Sequence, residues 1–357
     1  MTGAVLHVEG ISKRYRPADP LAVSNVSFEV APGEVFALLG PSGCGKTTTL
    51  RIIAGFEKAD AGEVRFGTRH LTGTRVHVPP EKRGIGFVFQ DYALFPHLSV
   101  RKNVSFGLKH LRRNERRARS ERLVESLGLT EFASRKPGEL SGGQQQRAAL
   151  ARSIAPAPKL VLLDEPFSNL DAQLRKSART EVRTILKDNR LSAILVTHDQ
   201  EEALAFADRI GVMRNAQLEQ VGDAEEVYRT PRTEFVARFL GNANVFRVNA
   251  AGRSASGIIG NVPLDRDAHG ETLIGLRPEQ IDILPTTDGV PGHQIVGREF
   301  QGASTTYRVQ AGETVLVVQV SGASRFEVGA EVALRPREPA VVLQANDGTG
   351  QVADTEP

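Results

Sequence analysis

The chain has 357 residues, of which 40% are hydrophobic and 24% are charged. These proportions are ordinary for globular proteins and exclude a disordered or fibrous chain, while the length favours two or three domains. The formal net charge of +3 is too small to indicate nucleic acid as the main partner. A single cysteine, Cys44, excludes an internal disulfide framework and indicates a reducing compartment.

The sequence contains no run of about 18 or more apolar residues, so the chain is not expected to cross a bilayer by itself. The first thirty residues also lack the basic and apolar regions of a secretion signal. We therefore expect the protein to stay inside the cell, where any membrane role requires separate spanning subunits.

Short apolar runs separated by Pro and Gly turns predict strands at residues 6–8, 26–30 and 35–39. A glycine-rich loop follows the third run, and residues 46–54 are typical of a helix. The order of strand, loop and helix is the one that a phosphate site requires.

Residues 99–130 are charged, and the spacing of Leu123, Val124 and Leu127 predicts a helix with one apolar face. Apolar runs at residues 160–163 and 193–196, each followed by a polar helical stretch, predict buried parallel strands. After residue 241 the sequence becomes rich in valine, glycine and threonine, as at residues 305–309 and 314–320, which predicts a separate β domain.

The phosphate-binding pattern GxxxxGK[ST] is matched by consecutive residues, namely Gly40, Pro41, Ser42, Gly43, Cys44, Gly45, Lys46 and Thr47. The glycines allow backbone N–H groups to turn towards phosphate, and Lys46 neutralises phosphate charge. Thr47 is expected to bind Mg²⁺, and Thr48 follows it within the nucleotide site. By itself the loop indicates only a nucleotide-binding protein, because kinases, GTPases, helicases and transporters share it.

Two carboxylates, Asp164 and Glu165, end the apolar run at residues 160–163. Asp164 is placed to hold the metal that is bound to the phosphates. Glu165 is placed to act as general base on the attacking water. Without the phosphate loop, a solvated turn would be the simpler interpretation of the pair.

A stretch between the loop and the acidic pair reads Leu140, Ser141, Gly142, Gly143, Gln144, Gln145, Gln146 and Arg147. It resembles the LSGGQ signature of ABC ATPases. The Ser141 hydroxyl and the glycine N–H groups would form a second phosphate-binding cap at the start of a helix, together with Gln144. An ordinary helix cap before an exposed Gln-rich helix is the alternative. The resemblance implies a head-to-tail homodimer in which the signature of one subunit closes over nucleotide on the phosphate loop of the other.

Further landmarks of that family occur in the family's order: Gln90 after residues 85–89, Asp171 in the string 168–171, and His198 after residues 194–196. The resemblance implies that Gln90 contacts Mg²⁺ and the attacking water, and that His198 contacts the γ-phosphate. It also implies that Asp171 connects the two active sites across the dimer. Tyr15 is similar to the aromatic residue that stacks on adenine. A structural histidine and an aromatic cap on a β subdomain are the alternatives for His198 and Tyr15.

The resemblance covers the whole chain and implies an α/β P-loop NTPase at residues 5–240, with a RecA-like core, an antiparallel β subdomain and a helical subdomain at about 91–158. The rest is similar to the all-β, OB-like TOBE domain and is predicted at 241–345, where residues 275–279 (Gly-Leu-Arg-Pro-Glu) match a motif of that domain. Residues 346–357 are polar and are predicted to be a disordered tail.

The implied function is that of the ATP-hydrolysing subunit of an ABC importer, with ATP and Mg²⁺ as cofactors. It would lie on the cytoplasmic face of the inner membrane and bind two integral-membrane permease subunits. An extracytoplasmic solute-binding protein would be an indirect partner, and no nucleic-acid partner is expected. Residues 90–98 and 164–171 most resemble ferric-iron (Fe³⁺) importers, but similar strings serve spermidine/putrescine, sulfate, molybdate, phosphonate and sugar import. A soluble ABC ATPase acting on nucleic acid is the alternative from another class, and a regulatory binding module is a second alternative.

Overall fold

The computed structural model describes residues 5–286, 292–322 and 326–344, so the predicted tail at 346–357 lies outside the described residues. The chain divides into two compact units, Met1–Ala224 and Glu225–Pro357. This division precedes the boundary at 240/241 that the sequence predicts. The physical reason lies in Arg277, which donates hydrogen bonds to the carbonyls of Ala237 and Leu240 and so holds the preceding helix to the β domain.

In the first unit the strands are β1 (Leu6–Lys13), β2 (Val23–Val30), β3 (Val35–Leu39), β4 (Ala61–Phe66), β5 (Arg69–Gly73), β6 (Val76–His77), β7 (Gly86–Val88), β8 (Leu160–Asp164), β9 (Ser192–Thr197), β10 (Arg209–Arg214) and β11 (Gln217–Asp223). The helices are α1 (Lys46–Ala54), α2 (Val100–Ser105), α3 (Arg113–Ser126), α4 (Gly142–Ile154), α5 (Ala172–Asp188) and α6 (Gln200–Phe206). These elements confirm the strands, the helix after the phosphate loop and the helical insert that the sequence predicts.

The strands of this unit form two sheets. One is antiparallel, in the order β2-β1-β4-β5-β6, and the other has the order β11-β10-β3-β9-β8-β7, in which only the β10–β11 pairing is antiparallel. Every residue of β3, β8 and β9 is buried, as expected for parallel strands covered on both faces. The carboxyl ends of β3, β7, β8 and β9 therefore meet at one edge, from which the phosphate loop, Gln90, Glu165 and His198 follow.

Aromatic packing and a buried arginine join the antiparallel sheet to the parallel one. Phe28 of β2 stacks on Phe36 of β3 with ring centroids 4.7 Å apart. Arg83 is only 1% exposed and donates to the carbonyls of Ile52 and Ile53 at the end of α1, and also to Thr72 of β5. Because a buried guanidinium needs acceptors, these bonds fix α1 between the two sheets.

In the second unit the helices are α7 (Ala224–Arg229), which starts at the last residue of the first unit, and α8 (Glu234–Phe239). The strands are β12 (Asn244–Gly257), β13 (Gly260–Leu276), β14 (Ile281–Pro285), β15 (His293–Phe300), β16 (Ser304–Ala311), β17 (Thr314–Ser321), β18 (Glu331–Pro336) and β19 (Val341–Val342). They form sheets in the orders β12-β13-β19 and β14-β18-β15-β16-β17 around one apolar core. The predicted all-β domain is confirmed.

The motif at residues 275–279 has a structural role in this unit. Arg277 is 3% exposed, donates to the carbonyl of Tyr228 and lies over the Tyr228 ring, 4.3 Å from its centroid. The Tyr228 hydroxyl donates to Glu279 Oε1 at 2.7 Å, and burial raises the pKa of Tyr228 to about 12. The motif therefore attaches α7 and α8 to the β domain.

In the residues that the structure describes, no helix is both long and apolar enough to cross a membrane.

Candidate functional site

The loop after β3 places Lys46 at its centre. Lys46 is 5% exposed, and its Nζ donates to the carbonyls of Gly40 at 2.7 Å and Pro41 at 2.9 Å, with Cys44 Sγ at 3.7 Å. Helix α1 starts without a side-chain cap, so its first N–H groups point into the loop without competition from a capping side chain. An ammonium group and a helix N-terminus at one place favour a phosphate group.

Two glycines of this loop are required by the packing of the chain itself. A Cβ at Gly40 would lie 2.3 Å from the Met213 carbonyl oxygen, and one at Gly45 would lie 2.3 Å from that of Ala22. Gly45 also has a φ of 105°, a conformation that side chains disfavour. The loop can therefore keep this shape only with glycine at both positions.

Helix α1 and the end of β8 bring two oxygen ligands together. Thr47 Oγ1 donates to Asp164 Oδ1 at 3.4 Å. Burial raises the pKa of Asp164, while the charge of Arg51 and the bond from Thr47 lower it. Hydroxyl and carboxylate oxygens are ligands that Mg²⁺ prefers, so the donor set beside the phosphate loop fits this ion.

Two other predicted site residues, Gln90 and His198, contact the side chain of Glu165. Its Oε2 accepts a hydrogen bond from Gln90 Nε2 at 3.4 Å, and its Oε1 lies 3.2 Å from His198 Nδ1. These side chains follow β7, β8 and β9 in turn. The backbone of Glu165 has a φ of 43°, and its N–H donates to the carbonyl of Val196 at 3.0 Å. Strained backbone at a non-glycine residue is often found at functional sites.

The segment after the acidic pair is tied to the same point. Asn169 Nδ2 donates to the carbonyl of Gln90 at 2.8 Å, and Ser168 Oγ donates to that of Glu165 at 2.9 Å. Asp171 caps α5 by accepting from the N–H groups of Gln173 and Leu174 at 3.1 and 2.9 Å. Within one chain Asp171 is therefore a helix cap, and its role across a dimer stays a prediction.

The signature forms the start of α4. Ser141 Oγ accepts from the Gln144 N–H at 3.4 Å, and the Ser141 N–H donates to Gln144 Oε1 at 3.0 Å, which completes a capping box. Ser141 is exposed, whereas Gln146, five residues later in the same helix, is buried. The alternative of an exposed Gln-rich helix is therefore wrong for Gln146, which packs into the subdomain.

Tyr15 lies beside the phosphate loop segment. Its ring is 51% exposed, its hydroxyl is 3.4 Å from Thr48 Oγ1, and Lys13 Nζ lies 5.8 Å from the ring centroid. An exposed aromatic face next to the loop is suited to stacking on a planar ring. The adenine role of Tyr15 stays a prediction.

Sequence reasoning missed two residues that organise the site. Arg152 of α4 donates to the carbonyls of Tyr92 at 3.0 Å and Ala93 at 2.6 Å, and thus ties the segment after Gln90 to the signature helix. Glu202 of α6 is buried behind His198. In the sequence both are ordinary helical charges, and only burial distinguishes them.

The phosphate loop, the oxygen ligands and the carboxylate between an amide and an imidazole define a P-loop nucleotide hydrolase. Residues 23–168 match the family described as ABC transporter, and residues 274–343 match the TOBE domain. The Fe(3+) ions import ATP-binding protein FbpC of Fusobacterium nucleatum is 38% identical over 98% of this chain and 95% of its own length. The chain therefore belongs to the ABC transporter family, as one of its ATP-binding subunits.

Other relatives carry more than one transport name. The Fe(3+) ions import ATP-binding protein FbpC 2 of Rhodococcus jostii is 43% identical over 92% of this chain and 96% of its own length. The spermidine/putrescine import ATP-binding protein PotA of Roseobacter denitrificans is 40% identical over 92% of this chain and 94% of its own.

Solved structures agree on the fold of the ATPase part. A dimeric ATP-binding cassette in a post-hydrolysis state, bound to ADP and Pi, has a TM-score of 0.55 and 30% identity over 61% of this chain and 98% of that chain. The cbiO1 protein of Clostridium perfringens, part of the ABC transporter complex cbiONQ, has a TM-score of 0.58 and 28% identity over 63% of this chain and 91% of its own. The predicted α/β P-loop fold with a TOBE domain is confirmed.

Proposed function

We propose that this chain is the ATP-hydrolysing subunit of a ferric-iron importer and works as a homodimer beneath a membrane permease. The observation that carries the hydrolytic part is Glu165 between Gln90 and His198, next to the Thr47–Asp164 pair. The names of the Fe(3+) import relatives support the cargo.

In the proposed reaction, Lys46 and the N–H groups of α1 bind the β- and γ-phosphates of ATP. Thr47 and Asp164, together with Gln90, would hold Mg²⁺, which supplies positive charge against the phosphates. Glu165 directly follows the last residue of β8, at the sheet edge that carries the phosphate loop. From this position its carboxylate accepts a proton from the attacking water. Gln90 and His198 orient Glu165 and the γ-phosphate, and Tyr15 stacks on adenine.

The second half of the nucleotide site comes from another copy of the chain. Ser141 caps α4 and is exposed, and the first three residues of the helix, Gly142, Gly143 and Gln144, are partly exposed. In the proposed dimer they close over the phosphates held by the loop of the partner, and Asp171 links the two sites. The dimeric arrangement of a related cassette with ADP and Pi supports this arrangement.

The surface beside the segment after Gln90 is our candidate for contact with the permease. The Phe95 and Phe106 rings pack 4.4 Å apart, and Phe106 is 40% exposed. Tyr92 of the same segment is buried. An apolar face of this kind accepts an amphipathic helix, and we place the subunit on the cytoplasmic face of the inner membrane, where an extracytoplasmic binding protein delivers the solute to the permease.

Replacing Glu165 with Gln tests the hydrolytic part. Turnover of ATP should fall about 10²-fold to 10⁴-fold, the range for loss of a general base. Binding of ATP should persist, and size-exclusion chromatography with light scattering should show an ATP-dependent dimer. Asp188→Asn, an exposed change in α5, is the control and should retain full turnover. Near-normal hydrolysis by Glu165→Gln would reject Glu165 as the base.

Uptake tests the cargo. Cells that lack this chain should lose energy-dependent uptake of radiolabelled ferric iron, and the wild-type chain should restore it while Glu165→Gln should not. The similarity to a spermidine/putrescine subunit makes polyamine import the second candidate. Loss of radiolabelled spermidine uptake with normal iron uptake would favour that candidate.

A further inference from the structure

A small cavity adjoins Glu165 and His198. It has a volume of about 80 Å³, and its lining includes Glu165, His198, Arg175 and Glu202. A cavity of this volume has room for more than one water molecule, and its lining offers several hydrogen-bonding groups to hold them. The cavity thus connects the proposed general base, Glu165, and His198 with the buried carboxyl group of Glu202.

Glu202 is buried, and a hydrogen-bond partner within the described residues is found for one of its two carboxyl oxygens. The residue is 4% exposed, and its Oε2 accepts a hydrogen bond from Thr197 Oγ1 at 2.7 Å. Its Oε1 is buried, and no hydrogen-bond partner for it is found in the described part of the chain. A buried carboxyl oxygen without a partner is costly, which makes water in the adjoining cavity its natural partner.

The hydrogen bonds of Glu202 surround the turn that carries His198. The Thr197 hydroxyl donates to Glu202 and accepts from the Asp199 N–H at 3.0 Å. Asp199 Oδ1 in turn accepts from the Glu202 N–H at 3.0 Å. The residues on both sides of His198 are therefore held by one closed network that includes Glu202.

The charges around Glu202 come from two helices and two strand ends. Arg175 and Arg179 of α5 and Asp199 act on it electrostatically, and Glu165 and His198 line the same cavity. Burial raises the pKa of Glu202 from 4.5 to about 7, although the Thr197 bond and the two arginines oppose the shift. A carboxyl group with a pKa raised in this way holds its proton over a wider pH range than an exposed Glu, and Oε1 is the oxygen placed to carry it because Oε2 accepts from Thr197.

We propose that Glu202 is a positioning residue for His198, and that its protonated Oε1 donates to water in the cavity that bridges it to the Glu165–His198 pair. This inference rests on the proposed hydrolytic role of that pair. When Glu202 loses its proton, Oε1 becomes an acceptor and the cavity that Glu165 also lines gains a negative charge. The bridging water then reverses its orientation and the His198 turn loses support.

The test compares Glu202→Gln, Glu202→Ala and the control Glu201→Gln, which changes the exposed neighbour in the same helix. The amide of Gln can accept from Thr197 and donate into the cavity, as protonated Glu202 does, but it does not titrate. ATP turnover of the wild type and of Glu201→Gln should fall about five-fold between pH 6 and pH 8, the worth of one hydrogen bond. Glu202→Gln should show no such fall, and Glu202→Ala should be about five-fold lower throughout. The KM for ATP should be unchanged in all variants.

Thermal unfolding provides a second measurement. The folded state holds the Glu202 proton more tightly than the unfolded chain, so the contribution of Glu202 to stability is fully present below pH 4.5 and is lost as pH rises through about 7. The melting temperature of the wild type should therefore drop more than that of Glu202→Gln across this window. This comparison decides the outcome even where Glu202→Ala fails to fold.

Some results would overturn the proposal. They are a wild-type pH dependence that Glu202→Gln retains, a Glu202→Ala variant with wild-type turnover, or identical melting profiles for the wild type and Glu202→Gln. Glu165→Gln is assayed in parallel. If that variant hydrolyses ATP normally, the proposed function fails; if it is inactive while Glu202→Gln retains the wild-type fall in turnover between pH 6 and pH 8, only this inference fails.

Discussion

Helices α1 and α4 both begin at a glycine-containing segment, yet the chain constrains the two segments differently. At the start of α1, a Cβ on Gly40 or Gly45 would meet backbone oxygens at 2.3 Å. At the start of α4, a Cβ on Gly142 would meet only the flexible end of Leu170 at 2.9 Å, and one on Gly143 would meet nothing within 4 Å. The phosphate loop is thus shaped by its own chain, whereas nothing within 4 Å in the described chain requires glycine at 143.

This difference agrees with the proposed dimer. A glycine that the chain itself does not need suggests that something outside the chain approaches the backbone closely. Lys46 is buried in its own loop, while Ser141 is exposed and its side chain accepts from the N–H of Gln144 in the capping box. In the proposed dimer each helix start would supply half of a phosphate site, and the two halves need not meet within one chain.

Gly45→Ala should have the largest effect on stability. The new Cβ must avoid the Ala22 carbonyl and adopt a φ of 105°, so the free energy of unfolding should fall by at least about 2 kcal/mol. Gly33→Ala is the matched control, because Gly33 also has a positive φ but open space around it. Urea unfolding should show a smaller loss, about 1 kcal/mol, for the control. Equal losses would mean that packing at Ala22 does not constrain the loop.

Lys46→Ala examines the charge of the same loop. Removing one ammonium that binds phosphate should weaken ATP binding about 10-fold to 100-fold, the worth of a charged hydrogen bond. Titration calorimetry on the isolated chain measures this without any contribution from hydrolysis. Lys58→Ala, at an exposed position near the same helix, should bind ATP normally. Unchanged affinity in Lys46→Ala would remove the phosphate loop from the site.

Gly143→Ala should have the smallest effect on the folded chain. Alanine favours helix, so the free energy of unfolding should stay the same or rise by up to about 0.5 kcal/mol. ATP binding by the isolated chain should also be normal, but dimerisation and turnover should fall because a methyl group occupies the space proposed for the phosphates of the partner.

The control for this variant is Gly138→Ala, which also meets open space and lies just before the signature. It should leave both dimerisation and turnover intact. A Gly143→Ala variant that is unstable as a single chain, or that dimerises and turns over ATP as the wild type does, would contradict the distinction between the two helix starts.

Much of the fold follows from local sequence. The fully apolar runs of β3, β8 and β9 can be buried only between covering layers, and a glycine loop or an acidic pair at the end of such a run can lie only at the sheet edge. Ser141 and Gln144 satisfy each other within a single turn of helix. Features of this kind depend on residues that lie a few positions apart, so they can be predicted from the sequence alone.

Other features depend on contacts that local sequence does not specify. Glu201 and Glu202 are adjacent acids in the first turn of α6, where both favour the helix dipole. Only the packing of α6 on β3, β9 and α5 buries one and exposes the other. The division of the chain at 224/225 likewise depends on Arg277, which binds carbonyls about forty residues earlier in the chain.

The sequence by itself determined the order of the phosphate loop, the signature, the acidic pair and the final histidine, since these rest on short-range backbone geometry and residue chemistry. The tertiary structure alone decided that Gln90 and His198 meet at Glu165, which glycines cannot be replaced, and that a buried carboxyl lies behind the site. Distances across a sheet and the burial of a charge depend on which distant segments pack together, and that information is spread over the whole chain.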